Sequence, residues 1–169
     1  MQGLAAFAQS LRDRGYGTVP DFDPWDGGVF AQALFLFEKP GPKAVDFISR
    51  NNNDQTAENA FNFMNQAGIP RKQTCIWNVV PGWNGTIKLT TVELARGAAA
   101  MAELLALLPD LRVVVLVGRR ASHAWSKFEN RPDLKVIESA HPSPKNYSLA
   151  REKWDVIPAQ WAQAKEFLQ

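Results

Sequence analysis

Two rhythms of apolar residues run through the chain, one helical and one continuous. Leu4, Phe7, Ala8 and Leu11 recur at helical spacing until Gly15 and Gly17 end the pattern. The segment from Thr18 to Gly28 is rich in Pro, Asp and Gly and reads as an irregular approach loop. Ala33 to Phe37 is a short unbroken apolar run, the pattern of a strand buried on both faces. It stops at Glu38-Lys39-Pro40-Gly41-Pro42, where two prolines and a glycine prevent strand or helix from continuing. Asn51 to Asp54 offers N-caps for a helix whose apolar positions are Ala57, Ala60, Phe61 and Met64, closed by Gly68.

The second strand is predicted over 74–80, ended by Pro81-Gly82, and Thr90 or Thr91 starts a long Ala- and Leu-rich helix that Pro109 stops. A third strand is predicted over 112–117. Gly118 follows, and then a helix carrying Ala121, Ala124, Trp125 and Phe128. A fourth, shorter strand over 134–137 leads into His141-Pro142-Ser143-Pro144, and Ile157, Trp161, Ala164 and Leu168 mark a closing helix. Strands that alternate with helices and are apolar throughout predict a three-layer α/β/α sandwich with a central four-stranded parallel sheet. One domain spanning 1–169 suits the length. In such sheets ligands bind beyond the carboxyl ends of the strands, so the polar sequences at those ends should meet at one rim.

Composition narrows the chemistry. Hydrophobic residues make up 46% and charged residues 21%, ordinary globular values. No apolar run approaches a membrane span and the first residues lack the features of a signal peptide, so a soluble, cytoplasmic monomer is expected. A formal charge of +2 is too small to hold nucleic acid by bulk charge, so any such binding needs a local cluster of Lys and Arg. Cys75 is the single cysteine, which excludes an internal disulfide, a Cys-rich zinc site and a cysteine-held iron–sulfur cluster. With only His123 and His141 besides, neither metal nor other cofactor is expected.

Three strand ends carry candidate chemistry. The two prolines around Ser143 stiffen the chain next to His141, which gives its imidazole a defined direction; an incidental surface His in a Pro-rich turn is the competing reading. Glu38 can orient or activate a water if partly buried, or simply be a solvated strand-end acid paired with Lys39. Asn78 offers a donor and an acceptor to a base edge, or turns its amide onto its own backbone before Pro81.

In this order and spacing, Glu-Lys-Pro-Gly-Pro after the first strand, Asn78-Val-Val-Pro after the second, Gly118 after the third and His141-Pro-Ser-Pro after the fourth resemble the uracil-DNA glycosylase superfamily over about residues 19–150. The resemblance implies a monofunctional glycosylase that flips uracil out of single- or double-stranded DNA and hydrolyses its N-glycosidic bond. It implies that His141 donates to uracil O2, that Asn78 reads the N3–H and O4 edge, and that Glu38 positions the water. Phe47 is the ring expected to stack on the base, with Pro40 and Gly41 beside it. Ser143, Lys145 and Arg119 are expected at DNA, joined by Arg120, and Tyr147 is expected to fill the space that the base leaves.

Two departures matter. Lys39 stands where the best-known branch has Asp, and Gly41 where it has the Tyr that blocks the thymine methyl group, so a pocket open at Gly41 admits bulkier bases. The Gly-Glu-Ala-Pro-Gly branch is closer, although Phe37 replaces its first Gly and this chain lacks that branch's four cluster-binding cysteines. Lys39 also supports an alternative, a non-catalytic relative that binds DNA or a flipped base. Ser49-Arg50-Asn51-Asn52-Asn53-Asp54 precedes a helix whose N-terminus can hold phosphate, with simple capping by Asn53 or Asp54 as the competing reading.

Overall fold

A computed structural model of the chain describes residues 2–127 and 131–169. Four parallel strands form the central sheet: β2 (Ala33–Phe37), β4 (Thr74–Asn78), β5 (Val113–Val117) and β6 (Lys135–Ser139), in the spatial order β4-β2-β5-β6. Every residue of β2, β4 and β5 is buried, as their unbroken apolar runs require. The registers align the ends of the strands. Phe37 pairs with Asn78, Leu36 with Leu116, and Val117 with Ser139. Glu38, Asn78, Gly118 and the residues after Ser139 therefore leave the sheet at one level. Because β2 has β4 on one side and β5 on the other, its carboxyl end lies at the crevice where ligands bind in open α/β sheets.

Helices cover both faces. α1 (Gln2–Asp13), α3 (Thr91–Ala106) and α4 (Arg119–Trp125) pack together on one side, while α2 (Gln55–Gln66) and α7 (Ile157–Ala162) pack together on the other. Between β6 and α7 lie two short helices, α5 (Pro144–Leu149) and α6 (Arg151–Asp155). Trp161 is fully buried and donates from Nε1 to Ser139 Oγ at 2.8 Å, fastening α7 beneath the His141 segment. Trp125 and Trp154 are partly buried packing residues, Cys75 is buried and His123 is exposed.

The structure corrects several boundaries. β4 ends at Asn78, although the Val79 and Val80 amides still donate to the Phe37 and Glu38 carbonyls at 2.8 and 2.9 Å. The expected closing helix is α7 followed by a tighter 3₁₀ turn over Gln163–Phe167. Phe128, expected on the helix after Gly118, lies outside the described residues. β1 (Asp21–Phe22), inside the segment expected to be irregular, pairs in parallel with β3 (Phe47–Ile48) as a separate two-stranded sheet. Phe22 anchors that sheet to the core by stacking on Trp77, ring centroids 3.9 Å apart.

Candidate active site

Two hollows meet at His141. The first is a cavity of about 390 Å³, lined by Phe37, Pro40, Gly41, Ile48, Asn78 and His141 among others. The second is a groove of about 710 Å³, running past Glu38, Gly118, Arg119, Arg120, Ser143 and Lys145. Pro40 and Gly41 lie on the boundary and touch both. Asn78 faces the cavity and Glu38 the groove; His141 stands between them.

The backbone around His141 is held from two sides. Asn146 donates from Nδ2 to the His141 carbonyl at 2.8 Å, and Asn59 of α2 donates to the Pro142 carbonyl at 3.0 Å. The Phe37 ring meets the imidazole edge-on, centroids 5.6 Å apart. Burial lowers the imidazole pKa to about 4 from its ordinary 6.5, with Asp54 pulling weakly the other way. The ring is therefore neutral near pH 7 and carries one N–H. No side-chain hydrogen bond from either His141 or Asn78 is formed within the described residues. Asn78 is 96% buried by its 4% exposure, at the end of β4, so its amide has an unspent donor and acceptor beside the cavity.

Glu38 lies against the start of α4. Its Oε2 is 3.5 Å from Arg120 Nη1. Desolvation raises its pKa above the ordinary 4.5, outweighing the opposing pull of Arg120 and Arg119. Gly118 leaves room for the Glu38 and His141 side chains beside it. A Cβ built there would sit 3.1 Å from Glu38 Oε1 and 3.2 Å from His141 Cβ, and its φ of +93° favours glycine in any case.

Lys39 lines both hollows, but its ammonium is committed elsewhere. Its side chain is 4% exposed and its ammonium donates to Asn84 Oδ1 at 2.7 Å, to Glu93 Oε1 at 2.7 Å and to the Lys88 carbonyl at 3.1 Å. All three donors are spent on the loop before α3 and on that helix's capping box, in which Thr90 and Glu93 bond reciprocally. A sequence scan could not pair Lys39 with Glu93, 54 positions away.

The other expected residues divide. Gly41 has no atom within 4 Å of a built Cβ, so the cavity is open at that point. Arg119, Ser143 and Lys145 line the groove, and Ser143 also caps α5. Phe47 is a correction: it lines a separate hollow with Arg12 and Asp21, 42% exposed, while its neighbour Ile48 enters the cavity. Successive strand residues point to opposite faces, so a one-residue difference decides which side chain is inside. Tyr147 is also placed elsewhere. It packs edge-on against Trp154 at 5.3 Å and beneath Arg151 at 4.4 Å, and it does not line the groove.

At the helix after Asn51, Asp54 is the N-cap and accepts from the Ala57 amide at 2.9 Å. Arg50 belongs to the same segment, whose sequence suggests phosphate binding and gives no sign of a buried ion pair. It lines the cavity, 4% exposed, with Nη2 donating to Thr74 Oγ1 at 2.5 Å and to Asp26 Oδ1 at 3.2 Å. Asp26 is buried beneath it, and desolvation pushes its pKa up to about 6 despite Arg50 and Arg71. Among the described residues, no group of three or more His, Cys, Asp or Glu is placed to hold a metal ion, and no helix is long and apolar enough to cross a membrane.

A family model described as the uracil DNA glycosylase superfamily matches residues 31–165, a span that holds Glu38, Asn78, Gly118 and His141. No curated protein matches the chain.

Proposed function

The chain belongs to the uracil DNA glycosylase superfamily, and from that premise we propose that it excises uracil from DNA by hydrolysing the N-glycosidic bond of a flipped nucleotide. The observation that carries the reading is the position of His141, shared by a cavity and a basic groove. A base in the cavity leaves its sugar at the mouth and its phosphates along Arg119, Arg120 and Lys145. The size of the cavity suits a small flat ligand.

In this reading each group acts where its environment suits it. Asn78 accepts from uracil N3–H and donates to O4, satisfying an otherwise unspent amide. The C1′–N1 bond breaks with its electron pair leaving on the base, and the sugar gains oxocarbenium character. Neutral His141 donates its N–H to O2 as negative charge develops there. Water adds to C1′ and its proton passes to Glu38, which faces the groove where the sugar would lie. Lys39 has its ammonium bound to Glu93 and Asn84, which leaves Glu38 as the acid of the first motif and favours hydrolysis over Schiff-base chemistry. Open space at Gly41 supports admission of bases with a larger 5-substituent.

The test is abasic-site formation, read by alkaline cleavage of labelled single-stranded and duplex oligonucleotides carrying uracil, hypoxanthine, xanthine or a thymine mismatch. Excision of uracil that is lost in Glu38→Gln and His141→Ala supports the proposal. A gel shift with no abasic product from any substrate overturns it in favour of a binding protein.

A further inference from the structure

The groove that holds Lys145 is also lined by an apolar side chain that the reaction does not use. Ile87 is 74% exposed and lines the same groove as Glu38, Arg119, Arg120 and Lys145. It is carried on the loop between β4 and α3, and that loop is clamped on both sides of it. Lys39 Nζ bonds the Asn84 side chain three residues before Ile87 and the Lys88 carbonyl immediately after it. Asn84 Nδ2 also donates to Glu93 Oε1 at 2.9 Å, and the Lys88 amide donates to Thr86 Oγ1 at 3.2 Å. Further back, Trp83 exchanges two 2.9 Å backbone bonds with Thr18. A buried ammonium with all its donors spent thus holds the loop on both sides of an exposed aliphatic side chain.

We propose that Ile87 is a wedge that enters the base stack of duplex DNA when the target nucleotide leaves it. The proposal rests on the reading that the groove takes DNA, for which the rim is basic, and it commits to duplex as the occupant because an exposed aliphatic side chain there gains burial from a paired, stacked step. An apolar prong beside cationic side chains is the composition of groove-binding proteins that unstack a base step. A tip held rigid loses little freedom on insertion, which a mobile loop would. Tyr147, packed on Trp154 and Arg151, leaves this task open.

The experiment compares the wild type with Ile87→Ala and Leu149→Ala, all checked for an unchanged melting temperature. Leu149 is 75% exposed but does not line the groove. Uracil excision is measured on duplex and on single strands. In parallel, each protein is titrated onto a duplex holding a tetrahydrofuran abasic analogue beside 2-aminopurine, whose fluorescence rises on unstacking. For Ile87→Ala we expect excision from duplex to fall about 10-fold or more, excision from single strands to stay within about twofold, and the fluorescence rise to vanish. Unchanged duplex excision with an unchanged fluorescence rise overturns the wedge, as does an equal loss on both substrates or a loss confined to Leu149→Ala. Wild-type protein that excises nothing defeats the glycosylase reading; the fluorescence titration still decides the wedge, since it requires no excision, and the absence of any rise with the wild type overturns it.

Discussion

Gly118→Ala tests whether the close packing of Glu38 and His141 against Gly118 is built into the fold. The residue has φ +93° and ψ +155°, a region that side-chain-bearing residues occupy at a cost of about 1–3 kcal/mol. For a chain of this length that corresponds to a fall in melting temperature of roughly 2–12 °C. The new methyl group would lie 3.1 Å from Glu38 Oε1 and 3.2 Å from His141 Cβ, so both side chains must retreat by a few tenths of an ångström. Misplacement by about 1 Å can cost about 100-fold in rate, so a smaller shift of two groups at once should cost about 10-fold. Single-turnover excision, measured well below the melting temperature of the variant, separates the two effects. If Glu38 and His141 are the groups disturbed, Gly118→Ala should add little further loss to Glu38→Gln. A lowered melting temperature with an unaltered single-turnover rate would refute the geometric argument, and an unaltered melting temperature would refute the backbone argument.

His141→Ala should lower the excision rate about 100- to 1000-fold while DNA affinity, measured by fluorescence anisotropy, changes little, because its hydrogen bond strengthens as charge reaches O2; equal losses in both would count against that role. Excision by the wild type should fail on acidification through a midpoint above 4.5, since Glu38 must be ionised and burial raises its pKa, whereas His141 takes up a proton only near 4. Glu38→Gln should retain only a slow rate without that limb, and persistence of the same midpoint would assign it to another group. Stability carries its own imprint of His141, also lost in acid: unfolded chains bind its proton below about 6.5 and the folded chain only near 4, so up to about 3 kcal/mol is lost as pH falls through that window. Denaturant titrations of His141→Gln should lack this component. Lys39→Met leaves Glu93 and Asn84 short of a donor and should cost about 1–3 kcal/mol, with less than additive loss in Lys39→Met/Glu93→Gln; full additivity would show the pair to be uncoupled.

Local sequence determined the central sheet and the residues at its rim. Ala33–Phe37 is bounded as expected because an unbroken apolar run must be buried and Pro40 and Pro42 cannot continue it. Asp54 and Thr90 start their helices because their side chains bond amides three residues on, a contact encoded within one turn. β1 and β3 escaped notice because a two-residue strand has no period to detect. The inward choice of Ile48 over Phe47 depends on pairing with Asp21 and Phe22, more than twenty residues away. Lys39 shows the same limit, since its type suggests a charge near the reacting groups and only the path of the loop before α3 directs it to Glu93. Tertiary structure alone decided that His141 separates a base-sized cavity from a basic groove, with Asn78 on one side and Glu38 on the other. Propensities and caps act over a few bonds, whereas the meeting of distant side chains is settled by strand register and helix packing, which no short stretch of chain contains.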